Sequence, residues 1–402
     1  MMAGRKARWA IAWVGVAALT GAHALAMGEG DPVTLSVRVG AEYTDNRDSL
    51  PVEEDNLDIN VIPRIDAFLR GERLTLNFFY EPTYRYRTDP SPIQNESELH
   101  HDVGLNADFE AAPRVSFFVR ERFNVTDDPA IVEEGMTLRR DSSYTMNRAE
   151  AGSNLRVGRL GRLTASGRHR IKRYDESPVA RESDEDQWGA DVRFWQKLGP
   201  TLGMSLSGAY EETDYKSARG LQRGFSSLSF GASLEKAVGA ALSAAVWGGF
   251  KELDYDDSEL GKDSAPYVMA QLRVEAHPGL RMFLRGGYML RDSDAYPYVS
   301  QTQTSYGLDA QWDISARWMI EAGGAWRVGE YDADVAPVTA TDPSYVRPVG
   351  GEEKRLSAWG SAAFRFNETT SLRLRHLYED VDSDVSPTFT RNATRVELAK
   401  KF

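Results

Sequence analysis

Residues 391–402 read RNATRVELAKKF and close the chain. Successive side chains of an extended backbone point to opposite faces. Thr394, Val396, Leu398, Lys400 and Phe402 therefore share one side, and Ala393, Arg395, Glu397, Ala399 and Lys401 share the other. The first side is mostly apolar and the second mostly charged. This is the pattern of a strand with one oily and one wet face, finished by an aromatic ring.

The same alternation recurs upstream. Leu74, Leu76, Phe78 and Tyr80 alternate with Thr75, Asn77, Phe79 and Glu81, and Val115, Phe117 and Val119 alternate with Ser116, Phe118, Arg120 and Arg122. Val268, Ala270, Leu272 and Val274 alternate with Tyr267, Met269, Gln271, Arg273 and Glu275, and Leu372 and Leu374 with Arg373 and Arg375. Units of strand, long polar loop, strand and short turn begin near Val33, Leu74, Val115, Leu163, Leu202, Leu242, Met282, Trp318 and Leu372. Nine such hairpins predict 18 strands, an even number with both ends on one side.

Short turns are expected at Gly71-Glu72-Arg73, Ala112-Pro113-Arg114, Leu160-Gly161-Arg162, Gly199-Pro200, Val238-Gly239-Ala240, Pro278-Gly279, Ser315-Ala316-Arg317 and Asn367-Glu368-Thr369. Longer connections fall between them, at 44–55, 87–97, 126–144, 176–184, 216–223, 256–263, 294–302, 332–352 and 384–390. The loops 126–144 and 332–352 are the longest, and either folding inward or projecting outward is open to them.

A soluble propeller or sandwich would also alternate, so the aromatics supply a second test. Tyr43, Tyr84, Tyr86, Tyr174, Tyr215, Tyr255, Tyr288, Tyr331 and Tyr378 sit near strand ends that lead into long loops. Phe68, Phe109, Phe194, Trp195, Phe283, Trp312, Trp318, Phe364 and Phe366 sit near the short turns. Two belts at two heights are what a bilayer with two interfaces selects. The expected fold is all-β, a closed antiparallel transmembrane barrel with short periplasmic turns and longer extracellular loops.

Targeting agrees with that reading. Arg5, Lys6 and Arg8, an apolar run from Trp9 to Leu19 and Ala24-Leu25-Ala26 make a secretory signal over residues 1–26. That run is about half the ~20 residues a spanning helix needs. The barrel domain is expected over 27–402, in the bacterial outer membrane after cleavage. Losing the three cations takes the formal charge from −12 to −15, so no general nucleic-acid binder is implied. The chain has no cysteine, so an exported protein of this sequence relies on its sheet rather than on disulfides. The mean hydropathy of −0.47 suits a barrel in which only alternate residues meet lipid.

An 18-stranded barrel is too wide for its inward side chains to fill, which predicts a wet lumen. The lumen phase carries Arg85, Arg120, Arg122, Arg148, Arg156, Arg168, Arg170, Lys172, Arg193, Arg273, Arg285, Arg373 and Arg375, with Glu150, Asp108 and Asp191 among the acids facing them. Arg120, Arg122, Arg148, Arg156, Arg168, Arg170 and Lys172 come from three consecutive strands and should form one cationic patch. Such a patch would guide an anionic solute through many weak contacts. Alternatively, its members pair with Glu150, Asp108 and Asp191 and stiffen the wall.

Signals for catalysis are weak. His100 and His101 point to opposite faces and so do not share a metal, and His169, His277 and His376 are scattered. No Gly-x-Ser-x-Gly elbow, phosphate-binding glycine loop or His-Glu-x-x-His motif is present. Asp380, Asp382 and Asp384 begin like a calcium loop, but Val385 stands where glycine is needed and Arg391 where glutamate is needed. No enzyme, cofactor or metal site is expected. The acidic loops suit a solvated surface bridged to lipopolysaccharide by divalent cations.

The terminal Phe402 resembles the closing signal that the barrel-assembly machinery reads. With the nine hairpins and phrases such as Val39-Gly40-Ala41-Glu42-Tyr43-Thr44-Asp45-Asn46, the chain from Val33 to Phe402 resembles the β-barrel porin type 2 family. The resemblance implies a channel for export of a hydrophilic polysaccharide, working with a periplasmic polysaccharide-export lipoprotein. A passive porin for small hydrophilic solutes, a non-conducting scaffold or adhesin and an outer-membrane hydrolase are the other readings.

Overall fold

The computed structural model describes residues 32–402 except 48, 50, 91–94, 127–142, 176–183, 216–223, 240, 258–259, 294–297, 299, 332–349 and 386. The expected signal segment, residues 1–26, lies outside the described residues, as does most of the two longest loops. The strands are β1 (Val33–Thr44), β2 (Asn56–Arg70), β3 (Leu74–Arg87), β4 (Ser97–Ala112), β5 (Val115–Thr126), β6 (Tyr144–Val157), β7 (Gly161–Tyr174), β8 (Glu185–Lys197) and β9 (Leu202–Tyr215). They continue as β10 (Phe225–Val238), β11 (Leu242–Tyr255), β12 (Lys262–His277), β13 (Leu280–Asp292), β14 (Ser300–Asp313), β15 (Trp318–Tyr331), β16 (Gly351–Asn367), β17 (Thr370–Ser383) and β18 (Phe389–Lys401).

Each strand pairs antiparallel with its sequence neighbours, and β1 pairs with β18 as well as β2, so the 18-stranded sheet closes on itself. At the seam Val39 lies opposite Leu398 and Tyr43 opposite Thr394. The Phe402 N–H donates to the Leu35 carbonyl at 2.8 Å, extending the seam by one bond. Closure matters because each unpaired backbone group facing hydrocarbon would cost several kcal/mol. Eighteen strands spaced about 4.8 Å and tilted about 40° give a backbone radius of roughly 18 Å.

Strands of 12 to 17 residues exceed the ~9–11 that cross a bilayer, so their ends project beyond it.

One face of the sheet exposes Leu35 and Val39 on β1, Phe117 and Val119 on β5, Leu228, Phe230 and Leu234 on β10, and Val396 and Leu398 on β18. On the other face, ion pairs reach over an intervening strand: Arg38 on β1 to Glu81 on β3 at 2.6 Å, and Arg168 on β7 to Glu211 on β9 at 2.7 Å. Second-neighbour strands approach one another on a concave surface, so the charged face is the inside.

Two sequence expectations change. The turn expected at Leu160-Gly161-Arg162 falls instead at 158–160. Gly158 supplies the positive φ of 63°, and Gly161 already sits in β7 opposite Val157. The tyrosine belt is also divided. Tyr43, Tyr84, Tyr86, Tyr288 and Tyr378 share register with outer-face residues, whereas Tyr174, Tyr215, Tyr255 and Tyr331 turn inward. Phase is the cause: Tyr174 is in step with Arg170 and Lys172, and Tyr255 with Lys251 and Leu253. Near the short turns Phe68, Trp195 and Phe283 likewise face inward, whereas Phe109, Phe194, Trp312, Trp318, Phe364 and Phe366 face outward. A cavity of about 690 Å³ among Val246, Leu272, Leu284, Tyr306, Trp326 and Leu356 opens on this outer, lipid-type face and not on the lumen.

Candidate pore lining

The inner wall of β5–β8 is the most cationic part of the lumen. Register places Arg122, Arg148 and Arg170 directly opposite one another on β5, β6 and β7. The next inward row is Arg120, Glu150 and Arg168, and Arg156 faces Arg162 nearer the short turns. Directly opposed like charges repel, so this wall needs anions or water to stabilise it.

Carboxylates supply part of that need. Arg122 pairs with Asp102 on β4 at 2.8 Å, Arg168 with Glu211 at 2.7 Å and Asp191 at 3.5 Å, and Arg170 with Glu185, its Nε at 2.7 Å. Arg120 reaches Glu150 only at 3.9 Å. Arg148, Arg156 and Arg193 make no side-chain hydrogen bond or ion pair among the described residues, and all three are exposed. The partners expected for a merely stiffened wall are therefore only partly used: Glu150 and Asp191 engage arginines, while Asp108 lies opposite Thr75 and Phe118 and engages none among the described residues. Instead Asp102, Glu185 and Glu211 carry most of the pairing.

Lys172 departs from the patch. It is buried between the rings of Tyr144 and Tyr174, 4.6 and 5.0 Å from their centroids, and does not meet the water of the lumen. Elsewhere Arg85 directs Nε to Asn60 at 3.4 Å, Arg273 pairs with Glu275 at 2.6 Å, Arg285 with Asp309 at 2.9 Å, and Arg373 approaches Glu321 at 4.0 Å. Arg375 lies over the Trp359 ring at 5.6 Å. His100 turns inward beside Glu98, and His101 stacks on Tyr80 on the other face.

Three inward rings form a feature that sequence reading missed. Phe79, Phe118 and Trp359 each lie close against a glycine of the adjacent strand, Gly104, Gly152 and Gly323, and Tyr267 lies likewise against Gly231 and Gly249. A Cβ on Gly104, Gly152 or Gly323 would come within 2.1, 2.4 and 2.7 Å of the neighbouring ring or carboxylate. Over the first three rings lie the guanidinium groups of Arg64 at 4.6 Å, Arg120 at 4.8 Å and Arg375 at 5.6 Å. The missing Cβ lets each ring lie along the wall, and the ring then holds an arginine flat on it, so the lumen keeps its width. Only the strand register shows which glycine faces which ring.

A wide, closed, oily-outside barrel with charged inner walls is a channel architecture. The family model described as "Putative beta-barrel porin 2" matches residues 33–402. The chain belongs to that family. It is a porin-like β-barrel. A BenF-like porin from Pseudomonas fluorescens Pf-5 is similar in fold, with a TM-score of 0.51 and 11% identity, over 93% of this chain and 100% of the other. The FrpB iron transporter from Neisseria meningitidis has a TM-score of 0.51 at 7% identity, over 90% of this chain and 64% of that one. The outer membrane protein opdK from Pseudomonas aeruginosa covers 92% of this chain and 98% of its own at 10% identity, with a TM-score of 0.48. No curated protein matches in sequence.

Proposed function

We propose that this channel passes hydrophilic anionic solutes, guided by the arginine wall of β5–β8, and that its solute is an acidic sugar polymer moving outward. The observation that carries the reading is the row Arg122–Arg148–Arg170, whose central guanidinium has no carboxylate among the described residues. Arg148, Arg156 and Arg193 are then the positions where a passing anion replaces water, through contacts weak enough for release. The test is the triple variant Arg148→Gln, Arg156→Gln, Arg193→Gln in planar bilayers under a salt gradient. The reversal potential is expected to move toward that of a non-selective pore, and an unchanged anion preference would remove the guiding role. The preference should also weaken at ~1 M salt, where the Debye length is about 3 Å.

Passage of small hydrophilic solutes rests equally well on the same lining. Block of the open channel by an acidic polysaccharide, with a neutral one of equal length inert, supports the polymer; unobstructed conductance supports small solutes. In the polymer reading a periplasmic polysaccharide-export lipoprotein meets the short-turn end, and the acidic long loops face lipopolysaccharide. Phe402 is 74% exposed and serves as the signal read by the assembly machinery. Phe402→Ala should lower the yield of assembled barrel in the outer membrane while leaving the unfolding of purified barrel unchanged.

A further inference from the structure

The wall beside the arginines has a different inner face. On β9–β11 it presents Ser205, Ser207 and Ala209, then Ser227, Ser229 and Gly231, with Ala245 and Gly249 beyond. The Tyr267 ring of β12 lies over Gly231 and Gly249. Nearer the long loops the wall carries Phe225, Leu253, Tyr255 and Ala265, and the end of β13 lies over these. β12 and β13 pair from His277 opposite Leu280 up to Val268 opposite Tyr288. The pairing stops there, although β12 extends to Lys262 and β13 to Asp292. Over the same residues β13 stays on β14, as far as Asp292 opposite Ser300.

Having left β12, the end of β13 lies on the inner face. Leu290, 1% exposed, packs with Phe225, Leu253, Tyr255 and Ala265, all inward residues of β10–β12. The Tyr215 hydroxyl on β9 donates to the Asp292 carboxylate at 2.5 Å. Four strand spacings of about 4.8 Å separate β13 from β9 along the sheet, roughly 19 Å, beyond the joint reach of a tyrosine and an aspartate. The end of β13 has therefore crossed the inner faces of β12, β11 and β10. On its other flank the Ser300 hydroxyl donates to Asp263 at 2.7 Å, and Tyr298 packs on Tyr331 of β15 at 5.3 Å with Val385 against the pair.

We propose that residues Leu290–Ser293 form the constriction that sets the size limit for solutes at the long-loop end, with the Tyr215–Asp292 bond as its latch. The size limit rests on the channel reading; the inward position of the strand end does not. The constriction borders the β5–β8 arginines, because β9 joins the two walls, so a solute passes between the end of β13, whose alternate positions Met289 and Arg291 face away from the covered wall, and a cationic wall. Polar backbone of β13 is tolerated there because it faces protein and water rather than lipid.

The test compares wild type with Asp292→Ala and with the milder Tyr215→Phe, each checked for barrel folding by heat-modifiable gel mobility. Single-channel conductance and the largest sugar admitted in liposome swelling are both expected to rise in Asp292→Ala, the conductance by about two-fold. Because the chain has no cysteine, a second readout needs no conduction. Leu253→Cys, at a position 0% exposed behind the strand end, should resist a membrane-impermeant maleimide alone and react once Asp292→Ala is added. Ser293→Cys, also at a 0% exposed position, replaces it if that variant does not fold. Equal labelling in both backgrounds, or an unchanged conductance and size limit in a conducting protein, overturns the proposal. Labelling that rises while neither protein conducts leaves the inward strand end standing and removes the channel reading.

Discussion

Two neighbouring arcs of one inner wall differ in what they do with space. On β5–β8 the inward side chains are long and charged, and Arg120, Arg122, Arg148, Arg156 and Arg193 stay exposed to the lumen. On β9–β12 the long-loop end carries Phe225, Leu253, Tyr255 and Ala265, and the end of β13 covers it from within, so that Leu253 has no accessible surface. Both arcs come from strands of similar length, 12–14 residues in β5–β8 and 14–16 in β9–β12, with the same alternation. Side-chain polarity makes the difference. Long cations repel one another and hold water in place, whereas an apolar patch gains hydrophobic burial when another segment folds onto it.

The largest expected effect tests the covered arc. Leu253→Asp puts a carboxylate among Phe225, Tyr255, Ala265 and Leu290 and directly opposite Asp263 of β12, at a cost of about 3 kcal/mol or more. Denaturant unfolding of the purified barrel in detergent should show the loss, and Arg148→Asp on the open arc should show none. Next is the glycine beneath Phe118. Gly152→Val forces a Cβ to within 2.4 Å of the ring and 2.6 Å of the Ala165 carbonyl, which should cost about 1–3 kcal/mol in the same assay. It should also lower the conductance, because the ring must lift into the lumen.

Smaller is the effect of relieving the arginine row. Arg148→Glu places an acid between Arg122 and Arg170, which should raise stability by about 0.2–1 kcal/mol while cutting anion preference. A variant that gains stability and keeps its selectivity would show that the row does not guide anions. The smallest effect lies at the rim of the covered arc, outside the spanning strands. Burial first, then Asp214 and Asp254, raise the Asp256 carboxyl above its usual range. The folded state then holds that proton more tightly than the unfolded one, so its local contribution is largest below the ordinary carboxylate value and is lost as pH rises through the raised one. The backbone bond from Asp256 N–H to the Gly224 carbonyl, 2.9 Å, should exchange hydrogen more slowly near pH 4 than near pH 7 after correction for the intrinsic rate. Asp256→Asn should remove the difference.

Alternation in the chain was enough to count the strands and to separate an apolar face from a charged one. Period-two patterning is local and survives any tertiary arrangement. The tyrosines show where that reading stopped: proximity to a loop suggested a lipid belt, yet Tyr174, Tyr215, Tyr255 and Tyr331 are in step with inward residues, a phase that could have been read directly.

Sequence alone therefore determined the number of strands and the division of the sheet into an apolar face and a charged one. Tertiary structure alone decided which arginines have carboxylate partners, because pairs such as Arg38–Glu81 and Arg168–Glu211 cross an intervening strand. It also decided which rings lie over which glycines, and that the end of β13 leaves its neighbour for the inner face of β9–β12. Each of these depends on strand register and wall curvature, which bring together residues tens of positions apart, and local periodicity carries no record of either.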